Sequence, residues 1–419
     1  MKKIVSWLVL TLMVMSLVAC SSNSSSGKDK KTLEVALWDE NASDAVDASI
    51  EAFKKEHPDV EVNVTYTPFA DYWTKLKTSL GGGSGPDVFW MNGPNFYQYS
   101  TQGLIKNLEP FISEDASFNK DTYFPAVVDL YSLEGELYAA PYFVDAVGLF
   151  YNKEIFDEAG VEYPDESWTW EDIKTAGEKL TNPDKGIYGY AAHTVSSQPG
   201  YYNLMHQAGG FVISDDKTTS GFNTPEAKEA FTFLKELQDK GISPSTQSQI
   251  ETEVDQLFIS NKLAMIPAIN VKASTYTEEL GDSVGVAPLP AGKQEATIVH
   301  GIGWAMNEKT KDEDLTWELV KYLSNEDGNR VIAETGFSIP AIKSMSDVWK
   351  ESLPSLDLQV FIDAQESGAA YPVSKRTAEW QDVETKEIQA AFLGQQTIEE
   401  ALENIGAEMN AILEEEQKE

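Results

Sequence analysis

Along most of the chain, apolar runs of strand length alternate with longer stretches whose apolar residues recur at helical spacing. Leu33-Glu34-Val35-Ala36-Leu37-Trp38 reads as a first strand. Ser43 to Glu56 then carries Val46, Ile50 and Phe53 on one helical face, and Pro58 ends it. Val60, Val62, Val64 and Tyr66 alternate with other residues, the period of a strand with one buried face. A helix over roughly Ala70 to Leu80 stops at Gly81-Gly82-Gly83. Asp87-Val88-Phe89-Trp90-Met91 is short and apolar, as a strand buried on both faces should be.

Farther on, the helical stretches carry readable starts and stops. Thr169 with Asp172 makes a capping box ahead of Ile173, Ala176 and Leu180. Thr224 precedes Pro225, a favoured first helical residue, and Gly241 closes the helix after Phe231, Leu234 and Leu237. Thr397 with Glu400 opens a terminal helix buried along Leu402, Ile405, Met409 and Ile412. Strands are expected near Gly148–Tyr151, Leu263–Pro267, Val284–Ala287 and Gly303–Met306. This alternation argues for an α/β protein with largely parallel sheets. No low-complexity linker cuts the body into consecutive halves, so two domains would require the chain to cross between them more than once.

The first residues follow a different pattern. Lys2 and Lys3 precede an almost unbroken apolar run, Ile4 to Val18, too short to span a bilayer comfortably. It ends in Leu17-Val18-Ala19-Cys20, which resembles the bacterial lipobox and implies cleavage before a lipidated Cys20. Cys20 is the single cysteine, so an intramolecular disulfide is impossible. Residues 21–31 are rich in Ser and lack any apolar side chain, the composition of a flexible tether. Residues 1–19 are therefore expected to be a lipoprotein signal peptide, and 20–32 a lipidated cysteine with its tether. The body would sit on the outer face of the cell membrane, touching it through lipid alone.

Charge narrows the partners. The chain holds 32 Lys and Arg against 68 Asp and Glu, a formal net charge of −36. Nucleic acid is a poor partner for such a surface. Ten Trp and 17 Tyr are a heavy aromatic load, and several fall just after expected strands.

Most catalytic and metal chemistries lack their residues. His57, His193, His206 and His300 are scattered without metal-ligand spacing, and no cysteine cluster exists. The run Gly81 to Gly85 lacks the Lys of a phosphate-binding loop and follows a helix rather than a strand. No G-x-S-x-G elbow occurs. Asp39, Asn41, Ser43 and Asp47 sketch a calcium loop, but Asp44 occupies the glycine position and Ile50 that of the bidentate Glu. Cofactors and metals are not expected. Paired carboxylates stay open at this point, because spacing in sequence cannot place two acids across a glycosidic bond.

The stretch LYAAPYFVDAVGLFYNKEIFDEAGVEYPDESWTWEDIKTAGEKL, Leu137 to Leu180, resembles the extracellular solute-binding proteins of carbohydrate importers, the family that includes maltose-binding protein. Pro141, Asp145, Tyr151 and Asn152 carry its core pattern, and Thr169 to Ile173 a second one. Family-like segments follow in order over about 300 residues, among them Phe53 to Val64, Gly85 to Trp90, Val284 to Pro290, Gly301 to Met306 and Phe337 to Pro340. The resemblance implies a hinged, two-lobed periplasmic-binding-protein-like fold of type II, with ligand in the cleft. Lobe one would comprise 33–141 plus 303–336, and lobe two 142–302 plus 337–419. Crossings would fall near Tyr142–Asp145, His300–Gly303 and Gly336–Pro340.

Ligands of open α/β sheets sit beyond the carboxyl ends of strands. The candidates are therefore Trp38, Asp39, Glu40 and Asn41, then Trp90 and Asn92, Asp145 at the first crossing, and Tyr201 or Tyr202. Asn270 follows a strand; His300, Gly301 and Trp304 belong to the second crossing, where the family often has glycine and an aromatic at the places of His300 and Ile302. Arg376 and Trp380 lie near the family's lobe-two aromatic position. Indoles suit the C–H faces of a sugar, and carboxylates and amides suit its hydroxyl rim. Trp168, Trp170 and Trp317 read as structural, and Trp304 as either a stacking ring or core. The implied function is monomeric capture of a sugar, an oligosaccharide in particular, for an ABC import permease, without catalysis. A cationic ligand such as a polyamine, held by Asp39, Glu40 and Asp145, and a surface carbohydrate-active enzyme are the alternatives.

Overall fold

The computed structural model describes residues 30–418, so Cys20, the signal peptide and most of the tether lie outside the described residues. The strands are β1 (Lys31–Leu37), β2 (Val60–Tyr66), β3 (Val88–Asn92), β4 (Ser132–Leu133), β5 (Glu136–Leu137), β6 (Ala139–Asn152), β7 (Met265–Ile269), β8 (Val284–Ala287), β9 (Ile298–Met306), β10 (Ile339–Pro340) and β11 (Ala369–Ala370). β1 starts before the expected Leu33. Lys31 and Thr32, assigned above to the tether, pair with Val60 and Glu61 of β2, and Lys31 Nζ lies 2.6 Å from Asp312. Exposed side chains hid this end of the strand, because ladder hydrogen bonds need no apolar residue.

The main sheet runs β10-β6-β9-β3-β1-β2, with β11 on β9. It is mixed rather than largely parallel. β1 lies parallel to β2 and β3, as helical crossovers require. β9 returns from a distant part of the chain and fills the slot between β3 and β6 antiparallel to both.

β6 is the organising element. All 14 of its residues are buried. Its first half pairs with β9 and β10; its second half leaves that ladder and pairs with β7 and β8. Only its end was legible as strand. Pro141 and Asp145 interrupt the apolar run, yet the ladder shifts register between Pro141 and Phe143, which accommodates the proline. The side chains of Asn270, Thr297 and Ser338 take up the backbone groups of Val144, Ala146 and Val147 where β6 changes partners. The three segments in which the resemblance places its crossings lie side by side, in β10, β6 and β9.

Helices cover both sheet regions. Ser43–Glu56 buries Val46, Ile50 and Phe53, as its spacing predicts. The capping boxes at Thr169 and Thr397 are both formed. The helix Thr377–Phe392 packs along Ile398–Glu416 and also reaches the helix Gly93–Thr101. Near that contact, Lys217 sits 4.3 Å from the centre of the Tyr97 ring and donates to its hydroxyl at 2.5 Å. No helix among the described residues is long and apolar enough to cross a membrane.

Candidate functional site

A cavity of about 870 Å³ opens between the β1–β3 strand ends and the elements around β7 and the helix Thr377–Phe392. That volume lies within the range of small-molecule sites. One wall is aromatic. Trp38 follows the last residue of β1, half-buried, with its ring 5.0 Å from Trp90 and edge-on to it. Phe69 and Trp73, one turn apart on the helix Phe69–Gly81, lie 5.7 and 5.6 Å from Trp38. Phe69 is 53% exposed, so the group presents a shelf of rings rather than a sealed core. Beside it, Asn92 caps the helix Gly93–Thr101 by accepting from Asn95 N at 3.2 Å, and Asp39 accepts from Asn41 N at 3.0 Å.

A second part of the lining is polar and assembled from distant segments. Asp145, buried in β6, accepts from Gln198 Nε2 at 2.5 Å. His300 in β9 accepts the Gly93 N–H on Nε2 at 3.1 Å, which places its own hydrogen on Nδ1, 3.6 Å from Asp145 Oδ2. Tyr371 lies 4.7 Å from the His300 ring, and Gln381 Nε2 donates to its hydroxyl at 2.8 Å. Burial pushes the Tyr371 phenol up to about 12. Glu384 accepts the Tyr202 hydroxyl at 2.9 Å and a second hydrogen bond from Tyr201. Burial pushes its carboxyl up to about 8, and the two phenols pull back only part of that shift.

Farther along, His193 donates to the Pro267 carbonyl at 2.9 Å, and burial lowers its pKa. Burial alone would raise the Asp255 carboxyl; Lys272 at 3.1 Å and the Tyr276 hydroxyl at 2.7 Å outweigh it and hold the group below its ordinary range.

Of the sequence candidates, Trp38, Asp39, Trp90, Asn92, Asp145, Tyr201 and His300 share this cavity. The others are placed elsewhere. Glu40 and Asn41 lie exposed in the turn beyond Asp39. Tyr202 is fully buried against Glu384 and Tyr371, with its ring edge-on to that of Tyr201 at 5.3 Å. Asn270 is consumed by β6, accepting from Ala146 N at 2.9 Å and donating to Ser338 Oγ at 3.0 Å. Gly301 is a packing position, where a Cβ would stand 2.5 Å from the Phe143 carbonyl oxygen. Trp304 is core, backing Trp90 at 5.8 Å and Tyr142 at 5.1 Å. Arg376 forks across Glu379 and Glu415 at the surface, and Trp380 turns inward to donate to Ser374 Oγ at 2.9 Å.

Sequence reasoning missed Phe69, Trp73, Gln198, Tyr371, Gln381 and Glu384. One signal was available. Ala378, Gln381, Asp382 and Thr385 recur at helical spacing and all line the cavity. Glu384 itself stands on the buried face with Trp380 and Ile388, an acid where the pattern demands an apolar residue. Among the described residues, no group of three or more His, Cys, Asp or Glu side chains could hold a metal ion.

Residues 48–356 match the protein family described as bacterial extracellular solute-binding protein. The galactooligosaccharide-binding protein of Bacillus subtilis is 28% identical over 358 residues, which cover 83% of this chain and 82% of that one. The maltodextrin-binding protein of the same organism is 26% identical over 375 residues, 85% of each. An ABC substrate-binding protein from Listeria monocytogenes, solved with cycloalternan, superposes with a TM-score of 0.86 at 25% identity, covering 92% of this chain and 99% of that one.

Proposed function

Because the chain belongs to the bacterial extracellular solute-binding protein family, whose members are transport receptors and not enzymes, we propose that it captures an oligosaccharide outside the cell and hands it to an ABC import permease. The observation that carries this reading is one cavity whose lining combines a shelf of indole and phenyl rings with buried carboxyl, amide and phenol groups. A sugar ring has C–H faces that lie against Trp38 and hydroxyls that donate to Asp145 and pair with Gln381. Relatives that bind galactooligosaccharide and maltodextrin favour the same substrate class.

In this reading the lobes are 33–141 with 303–336, and 142–302 with 337–419, and the adjacent strands β10, β6 and β9 form the hinge. Ligand touching both walls stabilises the closed state by its differential affinity. The receptor works as a monomer and is held to the outer face of the membrane through lipid on Cys20.

Thermal-shift and calorimetric screening of the mature protein against malto-, galacto- and arabino-oligosaccharides tests the proposal. A true ligand at a hundred times its Kd adds about 2.7 kcal/mol to stability and raises Tm accordingly. Failure of every glycan to shift Tm would sink the sugar reading. A cationic ligand is the second reading, favoured by the acids on the cavity wall; binding of spermidine that weakens steeply with salt would select it.

A further inference from the structure

The charge balance of the cavity wall carries a statement about which sugars enter, and it rests on the sugar reading above. Six acidic side chains line the cavity, Asp39, Asp145, Glu253, Asp255, Asp382 and Glu384, of which burial keeps Glu384 protonated at neutral pH, against a single lysine, Lys272, and no arginine among the described residues. Lys272 is engaged, with its Nζ 3.1 Å from Asp255. Neither lining histidine supplies a cation. His193 is buried, and burial disfavours its charged form. His300 accepts the Gly93 N–H on Nε2, which only an uncharged ring can do.

Asp145 is the acid with the most leverage. Its side chain is 5% exposed and has an amide and a neutral imidazole for company, with no ammonium or guanidinium. A ligand hydroxyl can donate to it. A ligand carboxylate cannot, and it would bring a second negative charge into a poorly screened cleft. We propose that the cleft admits glycans built from uncharged units and refuses those carrying carboxylate, sulfate or phosphate groups, with Asp145 setting the refusal.

The test compares three forms of one glycan. A neutral oligosaccharide that binds is taken from the screen above, its primary hydroxyls are oxidised to carboxylates, and the acid is converted to its amide. Calorimetry on the mature protein should find the acid more than about 30-fold weaker than its parent, as close like charges at protein-surface screening require. The uncharged amide should recover most of the loss, and the gap should narrow as ionic strength rises. Asp145→Asn should narrow it further. If that variant does not fold, the amide and salt comparisons on the native chain still decide. An acid that binds as tightly as its parent overturns the inference while leaving sugar capture standing, and so does an amide as weak as the acid, since shape would then be the cause. Absence of binding by every neutral glycan removes both.

Discussion

The two walls of the cavity were built in different ways. The aromatic shelf comes from the first 90 residues, where β1, the helix Ser43–Glu56, β2, the helix Phe69–Gly81 and β3 follow one another and bring Trp38, Phe69, Trp73 and Trp90 together. The polar wall draws on β6, the turn at Gln198, β9, Tyr371 and the helix Thr377–Phe392, segments scattered over more than half the chain. A local βαβ arrangement places side chains by a rule that can be applied to sequence; a wall stitched from remote pieces follows no such rule. The shelf also supplies area without direction, while the polar wall supplies direction without much area. Recognition of a hydroxylated ring needs both.

Substitutions can separate these contributions. The largest effect is expected at Trp90, which touches the cavity yet is fully buried against Trp304 and Tyr142. Trp90→Ala should cost about 3–5 kcal/mol in chemical denaturation, the range for deleting a large buried aromatic. If the loss is below 1 kcal/mol, the shelf is not rooted in the core as described.

Glu384 tests the polar wall. Its folded pKa is raised from 4.5 to about 8, so the stability it contributes is fully present below pH 4.5 and is lost as the pH climbs through about 8. Glu384→Gln removes this dependence. The variant should be more stable than the native chain at pH 9, by about 5 kcal/mol less about 1 kcal/mol for the weakened phenol bonds. Below pH 4.5 the native chain should be the more stable by that smaller amount. Parallel Tm profiles for the two proteins would contradict the buried, proton-holding carboxyl.

Trp38 should behave unlike Trp90. Half-buried at the shelf's edge, Trp38→Ala should weaken glycan binding about tenfold or more in calorimetry, with a smaller loss of stability than Trp90→Ala. The smallest effect is expected at Arg376, whose surface ion pairs are worth less than about 1 kcal/mol. Arg376→Ala should leave sugar affinity unchanged, which separates it from the cavity wall despite its position next to the lining helix.

The same contrast explains what could be read in advance. The carboxyl ends of β1 and β3, the capping boxes and the helix Ser43–Glu56 obey local periodicity and were legible. Trp380 and Glu384 were not, because which face of an amphipathic helix meets the cavity depends on how it docks. Asn270 misled for a related reason. A polar residue after a strand suits a ligand and suits an unpaired backbone amide equally well, and only the partner exchange of β6 shows that the amide takes it. β6 itself was underestimated, since Asp145 breaks its apolar run yet lines the cavity, where Gln198 and His300 stand beside it.

That double service has a consequence for biogenesis. β6 spans Ala139–Asn152, whereas its partners begin no earlier than Met265 and end at Pro340. As the chain emerges from its amino end, fourteen residues destined for complete burial must wait for more than a hundred others before any edge exists to receive them. Such long-range pairing slows folding and leaves a sticky segment uncovered meanwhile.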